Sequence, residues 1–329
     1  MPLHGIQGLQ WHWYRITPLH LLLLPLSLLF LILSSLRRLL YQSKIFSSIR
    51  LPVPVIIVGN ITVGGTGKTP VTLWLAEQLL SNGWHPVIIS RGFGGSNSKP
   101  QEVRHDSNPA TVGDEPVLIT QRKLCPVWVG RDRPAVAQAA VLAHPECDII
   151  ISDDGLQHYR LQRDLELAVV DGQRRFGNGL LLPAGPLRET IPRLNKVDAV
   201  ICNGGKPFPG EYLMQLEGVR FYNLLNPQVT ANASDFQGKS IHAIAGIGHP
   251  ERFFQHLSRL GLMVQGHAFP DHHAYKAIDL EYDGADALLM TEKDAVKCHK
   301  FANEKCWALR VDAHMDPALL QLILKKISP

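Results

Sequence analysis

The fold is decided by the stretch Gly59-Asn-Ile-Thr-Val-Gly-Gly-Thr-Gly-Lys-Thr69. It follows the apolar run Val53–Val58, which predicts a buried strand, and it opens a helical pattern. A glycine-rich turn between a strand and a helix lets backbone N–H groups and the helix N-terminus bind phosphate oxygens. In such a loop Lys68 reaches the β- and γ-phosphates and Thr69 ligates Mg²⁺. The residues predicted to bind the nucleotide are Gly64, Gly65, Thr66, Gly67, Lys68 and Thr69.

The glycine loop departs from the general pattern at one position. The pattern G-x-x-x-x-G-K-[ST] places its first glycine where this chain has Thr62, whereas the end of the motif, GGTGKT, is intact. In the deviant loop of the septum-positioning ATPases a lysine comes just before the two glycines, and here that residue is Val63. The sequence therefore disfavours that subclass.

Two acidic motifs lie where a P-loop enzyme needs carboxylates. Asp153 and Asp154 end an apolar run, and such a strand end lies beside the phosphate loop and contacts Mg²⁺, directly or through water. Asp114 and Glu115 precede a helical stretch, where an acid caps the helix and also has the chemistry of a general base. From the pattern alone, capping is the favoured interpretation of Asp114, and the two roles are compatible.

Ten short apolar, β-branched runs predict strands, and amphipathic stretches alternate with them along most of the chain. The runs are Val53–Val58, Val87–Ser90, Pro126–Val129, Asp148–Ser152, Leu165–Val170, Ala199–Cys202, Ile241–Ala245, Met263–Phe269, Ala287–Met290 and Ala308–Val311. This alternation predicts a parallel sheet covered by helices on both faces. The predicted fold class is α/β: a doubly wound parallel sheet of the P-loop NTPase type, a second and smaller α/β domain, and an N-terminal membrane-associated helix. The predicted parts are a lead at residues 1–17, an anchor helix at 18–40, a P-loop domain at 41–200 and a C-terminal α/β domain at 201–329.

The first 50 residues combine a long apolar run with purely basic charge. They contain five basic residues and no Asp or Glu, whereas the remaining 279 residues carry 28 basic and 29 acidic groups. The basic balance therefore belongs to the N-terminus, which argues against a nucleic-acid-binding surface and fits a segment that meets anionic lipid.

The apolar run Leu21–Leu36 is about 24 Å long as a helix, which is short of the roughly 30 Å hydrocarbon core of a bilayer. Its charges, Arg37 and Arg38, come after the run, which disfavours a cleaved signal peptide, and it has few polar positions for a buried core helix. The sequence predicts a membrane helix, spanning or in the membrane plane, with its basic flank in the cytoplasm.

Other candidate site residues are basic. Three arginines in loops could clamp phosphate bidentately, although for each alone a solvated charge is favoured: Arg91, Arg131 and Arg188. His158 follows Asp154 by four residues, and His272 lies in Phe269-Pro-Asp-His-His-Ala-Tyr275. A histidine paired with a carboxylate across domains has the chemistry to tune a general base.

The order of these motifs resembles the tetraacyldisaccharide 4′-kinase family of lipid A biosynthesis. The matching segments are GNITVGGTGKTP, SRGFGG, VGDEP, GRDR, SDDGLQH, GPLRE, the DHH segment and MTEKDAVK. The resemblance implies two α/β/α domains with the active site in the cleft between them. It also implies transfer of the γ-phosphate of ATP to the 4′-hydroxyl of a tetraacyldisaccharide 1-phosphate at the cytoplasmic face of the bacterial inner membrane, with no nucleic acid and no obligatory protein partner.

The resemblance also implies roles for single residues. Lys68 and Thr69 hold the phosphates and Mg²⁺, and Asp114 is the general base on the sugar hydroxyl, with His272 from the second domain as its partner. His273 stays open as an alternative to His272. The residues implied to support the metal are Glu115, Asp153 and Asp154, and the predicted substrate-binding set is Arg91, Arg131, His158, Arg188 and Glu189.

One other function stays open: a membrane-anchored P-loop ATPase or GTPase that acts on a protein partner and ignores lipid. Guanine-specific proteins usually carry an [NT]KxD motif. The segment Thr291-Glu-Lys-Asp294 resembles that motif by composition, but it has Glu292 before the lysine. A capped helix start is the favoured interpretation of this segment.

Overall fold

The computed structural model describes residues 12–15 and 17–327, and strands alternate with helices through most of them. The strands are β1 (Val55–Gly59), β2 (Pro86–Ser90), β3 (Gln101–Val103), β4 (Val127–Val129), β5 (Ile149–Asp153), β6 (Leu165–Asp171), β7 (Ala199–Asn203), β8 (Glu211–Asn223), β9 (Thr230–Asn232), β10 (Ile241–Ala245), β11 (Val264–Ala268), β12 (Ala287–Thr291) and β13 (Cys306–Met315). The α-helices are α1 (Leu19–Gln42), α2 (Lys68–Ser81), α3 (Pro109–Val112), α4 (Asp114–Gln121), α5 (Arg133–Ala143), α6 (Pro250–Arg259), α7 (Glu292–Cys298) and α8 (Pro317–Ile327).

The described strands form one sheet with the order β11-β10-β12-β13-β8-β7-β6-β1-β5-β2-β4-β3, and β9 pairs with β8. Most neighbours are parallel, and β8 runs antiparallel to β13. The sheet continues across residue 200, where the boundary between the two domains is predicted, so that boundary stays a prediction. Most of the predicted lead at residues 1–17, and residues 328–329, lie outside the described residues.

Helices cover both faces of the sheet around β1, as a doubly wound fold requires. On one face Val71 and Leu75 of α2 pack with Val58 of β1, and on the other face Val136 of α5 packs with Ile57. All these side chains are fully buried. Burial of an apolar side chain of this size contributes about 1.5–3 kcal/mol, so both faces stabilise the strand that carries the glycine loop.

The strand β8 was not predicted from the sequence. Its 13 residues include Gly218 and several exposed polar side chains, so its apolar alternation is weak. It is stabilised by its partners, because it pairs in parallel with β7 over its first part and antiparallel with β13 over nearly its whole length. These pairs join the P-loop half of the sheet to the C-terminal half.

The N-terminal helix α1 runs through Pro25 without a break and docks along its length on the body. Ser27 is buried, and its hydroxyl donates to the Leu181 carbonyl at 2.9 Å and accepts from the Ala184 N–H at 3.0 Å. The protected positions recur at helical spacing on one face: 20, 23, 27, 30, 31, 34, 38 and 41. The opposite side of the helix exposes large apolar side chains: Leu21, Leu22, Leu24, Leu26, Leu28, Leu29, Ile32, Leu33, Leu36 and Leu39.

By length and composition, α1 is the one helix among the described residues that could cross a membrane, and 11% of its most apolar window is buried. A one-sided apolar surface of this size marks a contact with lipid or with another apolar surface.

Candidate active site

The glycine loop has the geometry of a phosphate-binding turn. α2 begins at Lys68, directly after Gly67, whose φ of 95° is left-handed. A Cβ at that position would collide with the side chain of Asn203, so only glycine fits there. Asn60 Nδ2 donates to the Thr66 hydroxyl at 3.0 Å, and Asn203 Nδ2 donates to the Thr66 carbonyl at 2.9 Å. Side chains from the ends of β1 and β7 therefore hold the loop in shape.

Lys68 and Arg188 converge on Asp154 beside this loop. Lys68 Nζ lies 3.6 Å from Asp154 Oδ1, and two N–H groups of Arg188 approach the same carboxylate at 3.0 and 3.3 Å. Arg188 also donates to Asn60 Oδ1 and to the Thr62 carbonyl. Burial favours the neutral acid, but the two cations hold the pKa of Asp154 below its ordinary value. Asp154 is therefore a carboxylate, and Arg188 lies on the phosphate side of the site.

Asp153 is buried directly behind Asp154. The hydroxyls of Thr72 and Ser90 donate to its carboxylate at 3.4 and 3.5 Å. Its pKa is raised because burial and the negative charge of Glu115 disfavour ionisation, while Lys68 offsets these effects only in part. Charges from α4 and from the P-loop therefore act on the same carboxylate, so the first turn of α4 lies near the glycine loop.

Asp114 and His272 form a pair across the cleft. His272 Nδ1 lies 3.0 Å from Asp114 Oδ2, and Asp114 is buried at the first position of α4. The prediction that Asp114 caps this helix is wrong, because Gly113 occupies the N-cap position and no side chain caps the helix. Burial opposes ionisation of Asp114, but the bond to His272 and the charge of Lys293 lower its pKa. The same bond raises the pKa of His272 against the effect of burial.

The structure distinguishes the two neighbouring histidines. His273 Nε2 contacts Asp279 Oδ2 at 3.0 Å, away from Asp114, so His272 is the histidine that meets the carboxylate. The backbone of His272 has a φ of 59°, a strained conformation for a residue other than glycine. Strain of this kind persists where surrounding contacts fix the residue, and here the fixed residue faces Asp114.

The predicted substrate-binding residues occupy different environments. Arg91 and Arg131 are exposed, and within the described ranges neither side chain has a hydrogen bond or an ion pair. His158 is half-buried, and burial together with the charge of Arg133 lowers its pKa to about 4, so its imidazole is neutral at pH 7. The charge of Arg37 in α1 also lowers the pKa of His158, although burial and Arg133 have larger effects.

Glu189 is buried and is hydrogen-bonded to the end of the Asp-Asp-Gly-Leu-Gln-His segment. Its two carboxylate oxygens accept hydrogen bonds from Gln157 Nε2 at 2.7 Å and from the Tyr159 hydroxyl at 2.6 Å. Arg193 adds an ion pair at 3.4 Å. These contacts hold the loop that carries His158 and occupy both carboxylate oxygens of Glu189.

Sequence reasoning missed two site residues. Arg133 is buried, and one of its N–H groups donates to the Asp153 carbonyl at 2.5 Å. It is the first residue of α5, where the helix dipole disfavours a cation, and this unfavourable position could have indicated a buried partner.

The second missed residue is Lys293 in the Thr-Glu-Lys-Asp segment. The predicted cap is confirmed, because the Thr291 side chain accepts from the Asp294 N–H, but Lys293 reaches the Asp114–His272 pair.

A P-loop joined to two strand-end acids and facing a carboxylate–histidine pair defines the class of P-loop phosphotransferases. Within that class, residues 19–328 match the family described as tetraacyldisaccharide-1-P 4′-kinase, LpxK. The chain belongs to this family, as the motif order indicated. The match supports a kinase over a P-loop ATPase that acts on a protein partner.

Curated relatives named tetraacyldisaccharide 4′-kinase match almost end to end. The protein from Methylobacillus flagellatus is 53% identical over 320 residues, which cover 97% of this chain and 96% of the relative. The protein from Azoarcus sp. is 51% identical over 322 residues, which cover 96% of this chain and 94% of the relative. Among solved structures, LpxK from Aquifex aeolicus in complex with ATP is 28% identical with a TM-score of 0.80, covering 94% of this chain and 100% of that one.

Proposed function

We propose that this chain transfers the γ-phosphate of ATP to the 4′-hydroxyl of tetraacyldisaccharide 1-phosphate and so forms lipid IVA. The observation that carries the proposal is the pair Asp114–His272, placed next to a P-loop whose Lys68 and strand-end acids bind phosphate and metal. Family membership supplies the acceptor, and the geometry supplies a base for its hydroxyl.

Asp114 is the proposed general base. Its lowered pKa keeps it ionised at neutral pH, so it accepts the proton of the 4′-hydroxyl as that oxygen attacks the γ-phosphorus. Its Oδ2 accepts the Nδ1–H of His272, which fixes the direction of the carboxylate. The raised pKa of His272 favours an imidazolium, which stabilises the carboxylate until the proton arrives.

Lys68 and Arg188 are the proposed phosphate-binding cations. Both pair with Asp154, which holds them beside the loop. The planar guanidinium of Arg188 is also fixed by Asn60 and the Thr62 carbonyl, so it needs little reorganisation to meet a phosphate. These two cations stabilise negative charge on the transferring group.

The residues around Asp153 fit Mg²⁺. Burial raises the pKa of Asp153, and the negative charges of Glu115 and Asp154 raise it further, so three carboxylates are gathered around this point. Mg²⁺ takes one or two carboxylates together with phosphate oxygens and water, which suits Asp153, Asp154 and the Thr69 hydroxyl. When bound, Mg²⁺ would neutralise charge on the β- and γ-phosphates.

The acceptor is proposed to bind on the side of Arg91, Arg131 and His158. The two arginines are exposed and unpaired within the described part of the chain, and the charge of Arg37 in α1 acts on His158. A glycolipid whose acyl chains stay in the bilayer would reach the cleft from this direction. The neutral His158 can donate or accept a hydrogen bond to a sugar hydroxyl.

The helix α1 is proposed to lie in the plane of the inner membrane at its cytoplasmic face. A spanning helix would need lipid on all sides, whereas α1 keeps one face on the protein body from position 20 to position 41. Its exposed leucines form the face for lipid. Thr17→Cys, just before the helix, and Gln42→Cys, at its last residue, test this with an impermeant maleimide on sealed vesicles. Labelling of both from one side supports an in-plane helix, and labelling of only one supports a spanning helix.

The function is tested by transfer of labelled γ-phosphate from ATP to tetraacyldisaccharide 1-phosphate in detergent. Wild type, Lys68→Ala and the exposed control Lys300→Ala are compared. Label on the lipid with wild type and Lys300→Ala but not with Lys68→Ala supports the kinase. ATP hydrolysis without labelled lipid would contradict the proposed acceptor.

A further inference from the structure

Two consecutive residues at the start of α7 grip opposite ends of the base-bearing helix α4. Glu292 Oε2 accepts from Arg122, the residue that follows α4, at 2.7 Å. Lys293 Nζ lies 3.4 Å from Glu115 Oε1 and 4.0 Å from Asp114 Oδ2, at the first turn of α4. The eight residues of α4 span about 12 Å, so these contacts fix both ends of the helix against α7.

The distal contact is a rigid anchor. Arg122 and Glu292 are both about nine-tenths buried, and Arg122 also pairs with Asp312 at 2.5 Å. Glu292 Oε2 accepts a second hydrogen bond, from the Val311 N–H at 3.0 Å. The C-terminal end of α4 is therefore fixed to strand β13. Lys293 contacts the other end, which carries Asp114.

Lys293 also contacts the loop that presents His272. Its ammonium nitrogen lies 3.3 Å from Asp271 Oδ1 and 3.5 Å from His272 Nε2. Three carboxylates therefore surround one cation: Asp114 and Glu115 from α4, and Asp271 from the C-terminal half. Like charges gathered in a partly buried site repel one another unless a cation lies between them.

We propose that Lys293 is a positioning residue for phosphoryl transfer. Its ammonium group holds the Asp271–His272 loop against α4, so that His272 Nδ1 stays at hydrogen-bond distance from Asp114. The inference rests on the proposed function, in which Asp114 accepts the hydroxyl proton. Without Lys293 the carboxylates separate, the loop retreats from α4, and the base loses its partner while the P-loop stays intact.

The test compares wild type, Lys293→Met, Lys293→Arg and the matched control Lys300→Met in the lipid-labelling assay. Lys300 lies in the turn after α7 and is exposed. We expect Lys293→Met to lower kcat about 10–100-fold, since a displacement of about 1 Å costs up to about 100-fold, with KM for ATP within about twofold of wild type. Lys293→Arg keeps the charge and is expected to recover most of kcat.

A double variant separates positioning from direct action on the phosphate. If Lys293 acts through His272, Lys293→Met combined with His272→Ala is no slower than His272→Ala alone, within about twofold. Multiplying effects would overturn the inference and make Lys293 an independent phosphate ligand. A raised KM with unchanged kcat, or a kcat equal to that of Lys300→Met, would also overturn it.

Folding and function are controlled separately. If Lys293→Met is unfolded at the assay temperature, the uncharged Lys293→Gln replaces it at a temperature where that variant is folded. A kcat lowered about 10–100-fold with KM for ATP within about twofold of wild type supports positioning, and a kcat equal to that of wild type overturns it. If wild type labels no lipid, the proposed function fails whatever Lys293 does. If wild type labels lipid and Lys293→Met does so equally, only this inference fails.

Discussion

The sharpest prediction concerns Asp114→Asn, which keeps the shape of the side chain and removes its charge. An amide cannot accept the hydroxyl proton, so the variant loses general-base catalysis. That step is worth about 10²–10⁴-fold in rate, and we expect kcat to fall at least about 100-fold, or about 2.7 kcal/mol of transition-state stabilisation.

The structure indicates that this loss falls on catalysis and not on folding. Lys293, whose ammonium nitrogen lies 4.0 Å from Asp114 Oδ2, keeps Glu115 at 3.4 Å and Asp271 at 3.3 Å as partners, so its charge is not left alone. The amide oxygen of Asn can still accept the Nδ1–H of His272. What remains is the loss of a negative charge in the first turn of α4, worth about 0.3–1 kcal/mol.

The assay is the initial rate of lipid labelling at saturating ATP and acceptor, with ADP affinity measured in parallel. Asp148→Asn is the control, because Asp148 pairs with His85 on the surface, at the end of β5 opposite to Asp153. ADP affinity within about threefold of wild type, together with the fall in kcat, fits a lost base. A rate within about fivefold of wild type would refute the role of Asp114 as base.

Three further predictions follow from single contacts. Gly67→Ala forces a Cβ into the Asn203 side chain in a left-handed conformation, so nucleotide titration should show lost ATP binding and unfolding should be easier by about 1–3 kcal/mol. The raised pKa of His272 means that its bond to Asp114 stabilises the fold fully below the unfolded value of about 6.5 and less as pH rises through the folded pKa. Urea unfolding of His272→Ala should therefore show a larger loss of stability at pH 6 than at pH 9, and an equal loss would contradict this. Ser27→Ala leaves a buried carbonyl and N–H without their partner, which should cost about 1–3 kcal/mol and increase proteolysis within α1.

Local patterns predicted the centre of the fold well. Ten strands were predicted, and nearly all begin and end within about two residues of their observed limits, because apolar β-branched runs between turns are a property of a few consecutive residues. The strand β8 was missed, since its stability comes from β7 and β13 and not from its own alternation. The doubly wound arrangement is confirmed by helices on both faces of β1.

For helix α1 too, the sequence predicted one part of the structure and the tertiary structure added another. Its length and composition predicted a membrane-associated helix but not its orientation, because a leucine-rich helix of this length can span or lie flat. One face of α1 docks on the protein, where Ser27 is hydrogen-bonded to the loop at residues 181–184. No sequence pattern within α1 predicts which face docks.

For the site, the sequence by itself determined the phosphate-binding loop and the strand-end acids. Gly67, Lys68, Asp153 and Asp154 follow from local rules, since a left-handed glycine, a helix N-terminus and a strand end act through their immediate neighbours. The residues alone favoured a cap at Asp114, and only the family resemblance implied a base.

Tertiary structure decided the rest of the chemistry. His272 lies 158 residues from Asp114 in sequence, and Lys293 lies further still, so no spacing rule connects them. Their meeting depends on how β8 and β13 join the two halves of the sheet and on how α7 packs against α4. Contacts of this kind are set by packing over the whole domain. The sequence of the Thr-Glu-Lys-Asp segment predicts only a helix cap, and the folded chain also brings its Lys293 to the candidate site.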